Sequence, residues 1–221
     1  MTNAKARVRE KKPDADTLLT DPRFRKIQEL DFSDMIPFVI SNIRKGGILP
    51  AVYMTVNLFN LLFIFFYTLW MIRNGFSGSI RIFWQIAAGI VAGSLLVIPP
   101  HELLHGLAYR ILGARTIKFG VDLQQFIFYV TADRFPISRG ELGFLAMTPF
   151  VLINLGVIIP TVVLVPRILL FSASLLLSHN IMCIGDFAIF NYALRQNGNL
   201  YTFDDTGKKK SYFYVKEEEL L

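Results

Sequence analysis

Two histidines four residues apart, with a glutamate directly after the first, stand in the stretch LLVIPPHELLHGLAYRILG at 95–113. Helical side chains four apart share a face, so His101 and His105 can grip one metal ion. Glu102 sits about 100° around the helix from His101, within reach of a water on that metal. Zinc lowers the pKa of its bound water towards ~7, and a carboxylate beside it can take the proton. The spacing therefore offers two zinc ligands, His101 and His105, and a general base, Glu102. The chain holds 3 histidines in all, and two of them fall in this motif. Pro99-Pro100 interrupts the apolar run before it, and Pro100 suits the first turn of a new helical segment.

Ionisable groups after an apolar run are costly wherever the run is buried in lipid, and they are then usually tied to function. Of 221 residues, 53% are hydrophobic and 20 are Phe, with a mean hydropathy of +0.45. That composition fits a small integral membrane protein better than a soluble domain. Four stretches, 50–72, 82–98, 142–165 and 168–194, approach or exceed the roughly 20 apolar residues needed to cross a bilayer. The expected fold is an all-α membrane protein of four transmembrane helices, with a short β-hairpin-like insertion between the second and third spans. The insertion is read from the β-branched and aromatic residues of 114–132, with strands at 116–121 and 126–131.

Three segments follow: a polar tail over 1–49 with an interfacial helix near 33–45, a membrane domain over 50–195, and a C-terminal tail over 196–221. Residues 1–22 are expected to be poorly ordered. The third span begins at Ser138, whose spacing to Glu141 is that of a capping box. No apolar stretch lies early enough for a secretory signal. All Lys and Arg except Arg73, Arg81 and Arg167 fall in the N-terminal tail, the 110–139 segment and the stretch from Arg195 onward, a positive-inside pattern that places both termini in the cytoplasm. The expected location is the cell membrane. The net charge of +6 is explained by this distribution and by anionic lipid, and nothing interleaves aromatic and basic residues as a nucleic-acid partner would require. A single cysteine, Cys183, excludes an internal disulfide.

Two protein ligands are too few for a catalytic zinc, which normally has three and a water. The fourth stretch offers His179, Cys183 and Asp186. Counted from the outer side, His101 and His105 lie 19 and 23 residues along the second span, and Asp186 lies 19 residues beyond Arg167. At about 1.5 Å per residue, Asp186 is level with the pair and His179 is about 10 Å further out. Asp186 is the expected third ligand, with Cys183 and His179 as alternatives, and His179 also suits an orienting partner of a ligand. Asn154 and Thr148 are placed to hydrogen-bond between helices.

The runs PPHELLHGLAYRILGA, FPISRGELGFLAMTPF and HNIMCIGD together resemble the bacterial zincin peptidase family of small membrane proteins, over about 50–195. That family is similar in arrangement to the site-2 proteases, which are intramembrane zinc metalloproteases. The resemblance implies His101, His105 and Asp186 as zinc ligands and Glu102 as catalytic base. Site-2 proteases carry the ligand aspartate before a glycine, whereas the order here is Gly185-Asp186. The expected activity is hydrolysis of a peptide bond in a membrane-embedded or membrane-anchored substrate. The rival readings are a structural or sensory zinc site without catalysis, and a metal-ion transporter.

Overall fold

The computed structural model describes residues 12–75, 78–122 and 127–217, except for the side chains of Asp122 and Ile127. Eight α-helices and six strands are distinguished among these residues. In chain order they are α1 (Ala15–Thr20), β1 (Phe24–Asp31), α2 (Met35–Arg44), α3 (Ile48–Arg73), α4 (Ser79–Val91) and α5 (Ile98–Ile111). There follow β2 (Lys118–Asp122), β3 (Ile127–Thr131), β4 (Ile137–Ser138), α6 (Arg139–Leu164), α7 (Leu169–Met182), α8 (Ile184–Leu194), β5 (Asn199–Asp205) and β6 (Lys210–Lys216).

Among the described residues, three helices are long and apolar enough to cross a membrane: α3, α4 with the turn that follows it, and α6. A fourth is available if α7 and α8, bent by 46° at Cys183, count as one span. Phe59, Phe66 and Leu164 stand well exposed along these helices. Such faces find a favourable surrounding in hydrocarbon rather than in water.

The prolines decide how α4 meets α5. Pro99 and Pro100 have no N–H to give the carbonyls four residues back, so an α-helix cannot run through them with all its bonds intact. The chain widens instead into a π-helical turn over Ala92–Leu96, where the Val97 amide reaches the Ala92 carbonyl. Such turns often sit beside functional residues. Close packing fixes the depth of this pair against α7. A Cβ on Gly89 would lie 2.4 Å from the Phe171 carbonyl oxygen, and one on Gly93 would lie 2.3 Å from that of Leu175. Only glycine allows this approach, in the manner of small residues four apart in membrane helices. Ser94, next to Gly93, and Ser178, three residues after Leu175, then meet Oγ to Oγ at 2.5 Å.

The all-α expectation needs correction. Among the described residues is a four-stranded antiparallel sheet, in the order β1-β6-β5-β4, which joins the segments before and after the long helices. Its inner strand β6 is buried on both faces, from Ser211 to Val215, and successive side chains point to opposite sides. Leu200 and Phe213 face Tyr109, Leu142, Leu145 and Ala193 at one end of the helices. Phe203, Tyr212 and Tyr214 face Ala15 and Leu18 of α1 on the other side. Helix α1 lies within the 1–22 stretch that was expected to be poorly ordered, while residues 1–11 lie outside the described ones. A tail with no hydrophobic run can still fold once its few apolar side chains meet an aromatic sheet face.

Other local expectations hold. Ser138 caps α6 in a complete capping box with Glu141. In α2, Val39 and Asn42 are buried, whereas Ile36 and Ile40 are exposed on the outer face. Strands β2 and β3 pair as a hairpin from Lys118↔Thr131 to Asp122↔Ile127. Phe126, which the sequence reading placed in the second strand, lies outside the described residues.

Candidate metal centre

The imidazoles of His101 and His105 project from one face of α5, as their spacing dictates. Asp186 meets them from the first turn of α8, just after the bend at Cys183. His105 Nε2 lies 3.1 Å from His101 Nε2. His101 Nε2 lies 3.4 Å from Asp186 Oδ2, and His105 Nε2 lies 3.3 Å from Asp186 Oδ1. The three side chains are only 12–19% exposed.

The opposite edge of each ring is held. His105 Nδ1 lies 3.1 Å from the Leu145 carbonyl oxygen and donates to it. That carbonyl is free because the residue four further on is Pro149, which lies inside α6 and has no amide hydrogen. His101 Nδ1 lies 3.1 Å from His179 Nε2. A proton on His101 Nδ1 is accepted there. With both Nδ1 atoms protonated, both Nε2 lone pairs converge on each other and on the Asp186 carboxylate.

Three electron-rich groups facing one point are suited to a cation. Zinc with bonds of about 2.0–2.1 Å to N and O in tetrahedral geometry separates its ligands by about 3.3–3.4 Å. His101 Nε2 and His105 Nε2 lie 3.1 Å apart, and each lies 3.3–3.4 Å from an oxygen of Asp186, a different oxygen in each case. The three residues therefore fit one face of a zinc tetrahedron. Its donor set, two imidazoles and a carboxylate, is one that zinc accepts.

Glu102 lies next to this triangle and is held by the hairpin. The Val130 backbone amide hydrogen-bonds its carboxylate. The side chains of Ile117, Phe119 and Val130 lie over α5 at Gly106, one turn further along. The stem of the hairpin is tied in turn to the sheet. Thr131 Oγ1 donates to Asp204 Oδ2 at 2.6 Å, and Ser211 Oγ donates to Asp204 Oδ1 at 2.6 Å. Burial pushes the Asp204 carboxyl above its ordinary value. Beside it, Asp133 accepts from the Thr206 hydroxyl and amide and from Lys118 Nζ, and these bonds lower its pKa to about 2.

Of the three sequence candidates for the third position, Asp186 joins the Nε2 atoms. His179 and Cys183 meet the Nδ1 side of His101 instead. The depth count put His179 about 10 Å away from the pair, yet its ring touches His101. The π-turn before His101 breaks the uniform rise per residue on which that count relied. Asn154 crosses to Asn180 with a 2.7 Å bond, while Thr148 bonds back to the Phe144 carbonyl of its own helix. Pro149 and the Leu145 carbonyl were not recognised from sequence, although a proline inside an apolar helix always frees a carbonyl one turn earlier. Val130 and Asp204 gave no such signal.

Neither the curated proteins nor the solved structures include a match to this chain. A family model does match, and its segment, 94–201, takes in the α5 motif, the hairpin, α6 and Asp186. The matched family is described as "Putative zincin peptidase", and over that segment the chain is similar to it.

Proposed function

We propose that this chain is a zinc metallopeptidase working inside or at the surface of a membrane, in the manner of the site-2 proteases. The observation that carries the reading is the Nε2–Nε2–carboxylate triangle with Glu102 beside it. His101, His105 and Asp186 hold the metal. A bound zinc ion lowers the pKa of water towards ~7 and polarises a carbonyl oxygen. Glu102 accepts the proton of the attacking water and delivers it to the leaving nitrogen. The Val130 amide keeps the Glu102 carboxylate aimed at that task, and the Leu145 carbonyl and His179 keep both imidazoles turned the right way.

In this reading α3, α4–α5, α6 and the bent pair α7–α8 make four spans, with the sheet and both termini on the cytoplasmic side. The substrate is a membrane-embedded or membrane-anchored peptide, locally unwound, because helical peptide bonds are shielded. Strand β3 supplies a place for it. Since the Val130 amide points at Glu102 rather than at β2, the amide of Phe128, two residues earlier, points the same way. That free edge runs alongside the catalytic carboxylate and suits strand addition by an extended segment.

The test is zinc content of the detergent-purified chain, followed by cleavage of a membrane-anchored reporter. One zinc per chain is expected, lost in His105→Ala and Asp186→Ala. Glu102→Gln should keep the metal and lose cleavage by at least about 100-fold, the usual scale of general-base catalysis. A wild-type chain without zinc, or full cleavage by Glu102→Gln, would sink the proposal.

A further inference from the structure

The two nitrogens of His101 face two different sets of donors. Nε2 faces His105 and Asp186, the site already assigned. Nδ1 faces His179 Nε2 at 3.1 Å, and that nitrogen lies 3.6 Å from Cys183 Sγ. The donor atoms of His101, His179 and Cys183 all lie within 4.8 Å of one another.

We propose that His101 Nδ1, His179 Nε2 and Cys183 Sγ form a second metal site, selective for cuprous ion and mutually exclusive with the zinc site. Bonds of about 2.0–2.1 Å to nitrogen and 2.3 Å to sulfur, 109–120° apart, separate the two donors by about 3.6–3.8 Å. The His179–Cys183 distance of 3.6 Å fits that span. His179 is 1% exposed, Cys183 is 0% exposed and the His101 side chain is 12% exposed, so the set is largely closed to water. A closed three-donor set containing a thiolate suits a soft ion of low coordination number, and cuprous ion is the common one.

Charge points the same way. One thiolate cancels one cuprous charge, whereas a divalent ion would leave a net positive charge buried among apolar helices at a steep cost. On the Nε2 side the balance differs, because Asp186 and Glu102 bring two carboxylates to match a divalent ion. The same histidine thus lies between a site matched to a divalent ion and a site matched to a monovalent one.

Exclusivity follows from the imidazole. A neutral ring has one lone pair. Zinc on Nε2 needs the proton on Nδ1, and copper on Nδ1 needs it on Nε2. On copper binding the Cys183 S–H bond breaks, the S–Cu bond forms and the thiol proton leaves to solvent. The His101 proton moves to Nε2, where Asp186 Oδ2 lies 3.4 Å away. No oxidation state changes. Cuprous ion would then act as a competitive antagonist of zinc loading. The exclusivity and this antagonism rest on the zinc reading, whereas the copper site itself does not.

The full-length detergent-purified chain would be titrated anaerobically with cuprous ion against a chelating competitor, both metal-free and zinc-loaded. Copper-edge X-ray absorption would report the ligand shell. One copper per chain is expected, with sulfur and nitrogen in its shell, and one zinc should leave for each copper bound. Cys183→Ser, close in size, should weaken copper binding on the order of 100-fold or more by replacing a soft ligand with a hard one, and should leave zinc content unchanged. No copper bound by the wild type, copper without sulfur, undiminished binding by Cys183→Ser, or zinc and copper held together would each overturn the proposal. A wild type that never holds zinc would fell the peptidase reading, and the copper site would still stand or fall on its sulfur signal.

Discussion

His105 donates its Nδ1 hydrogen to the Leu145 carbonyl at 3.1 Å, and Pro149, four residues on, is the reason that carbonyl is free. A proline inside a helix is normally destabilising, by ~3 kcal/mol or more. Here the lost helical bond becomes a ring-orienting bond. Pro149→Ala would return an amide hydrogen to the same carbonyl and make it share. The variant is expected to melt no lower than wild type, yet to bind zinc about 10-fold more weakly, the lower end of what orienting partners contribute. Competition with a zinc chelator measures it. Unchanged affinity would mean the His105–Leu145 bond does not depend on the proline.

Glycines of α4 offer a sharper packing test. A Cβ on Gly93 would stand 2.3 Å from the Leu175 carbonyl oxygen, and backbone cannot swing aside as a side-chain tip can. Gly93→Ala should therefore cost about 1–3 kcal/mol, the usual penalty of overpacking. Gly156, in α6, has nothing within 4 Å of its Cβ position. Gly156→Ala should be neutral or stabilising by up to ~1 kcal/mol, since it lowers the entropy lost on folding. Thermal unfolding in one detergent compares the two, and equal effects would contradict the close approach of α4 to α7.

How much of this was legible in the sequence depends on the range of the interaction. The motif of α5, the cap at Ser138 and the hairpin are local patterns, and each can be read from a few neighbouring residues. The α5 helix needs only the i, i+4 spacing of His101 and His105. The approach of Asp186 to that pair was reached by counting depth, even though the π-turn and the bend both lie along the path counted. The same count misplaced His179, since it assumed a uniform rise that the π-turn before His101 does not keep. The sheet went unread for another reason. LYTFDDTGKKKSYFYV alternates two aromatic-rich strands around a Gly turn, a hairpin signal in itself, but its remaining partners lie in β1 and β4, far off in sequence. Non-local pairing leaves little trace in any one segment.

Acid should loosen the hairpin stem. Hydrogen bonds from Thr206 and Lys118 lower the Asp133 pKa from 3.8 to about 2, so the folded chain binds fewer protons than the unfolded chain in that window. Stability contributed by Asp133 is complete above 3.8 and is lost as pH falls through about 2. Amides of β2 and β3 should exchange faster across that range, after correction for intrinsic rates. Asp133→Asn should flatten the step. A step that persists in the variant would assign it to another carboxyl.

The free edge of β3 carries the most direct consequence for catalysis. The Val130 amide is engaged with Glu102, and the Phe128 amide points to the same side with no strand of the hairpin opposite it. Phe128→Pro removes that amide hydrogen while leaving Tyr129 and Thr131 able to pair with β2. If an extended substrate adds to this edge, the variant should retain its zinc and its melting temperature and lose reporter cleavage chiefly through a higher KM, by about 5–10-fold for one hydrogen bond of ~1–1.5 kcal/mol. A Phe128→Leu variant keeps the amide and separates that bond from the lost ring. Loss of cleavage in both variants alike would point to the side chain, and unchanged KM in the proline variant would remove β3 as the docking strand.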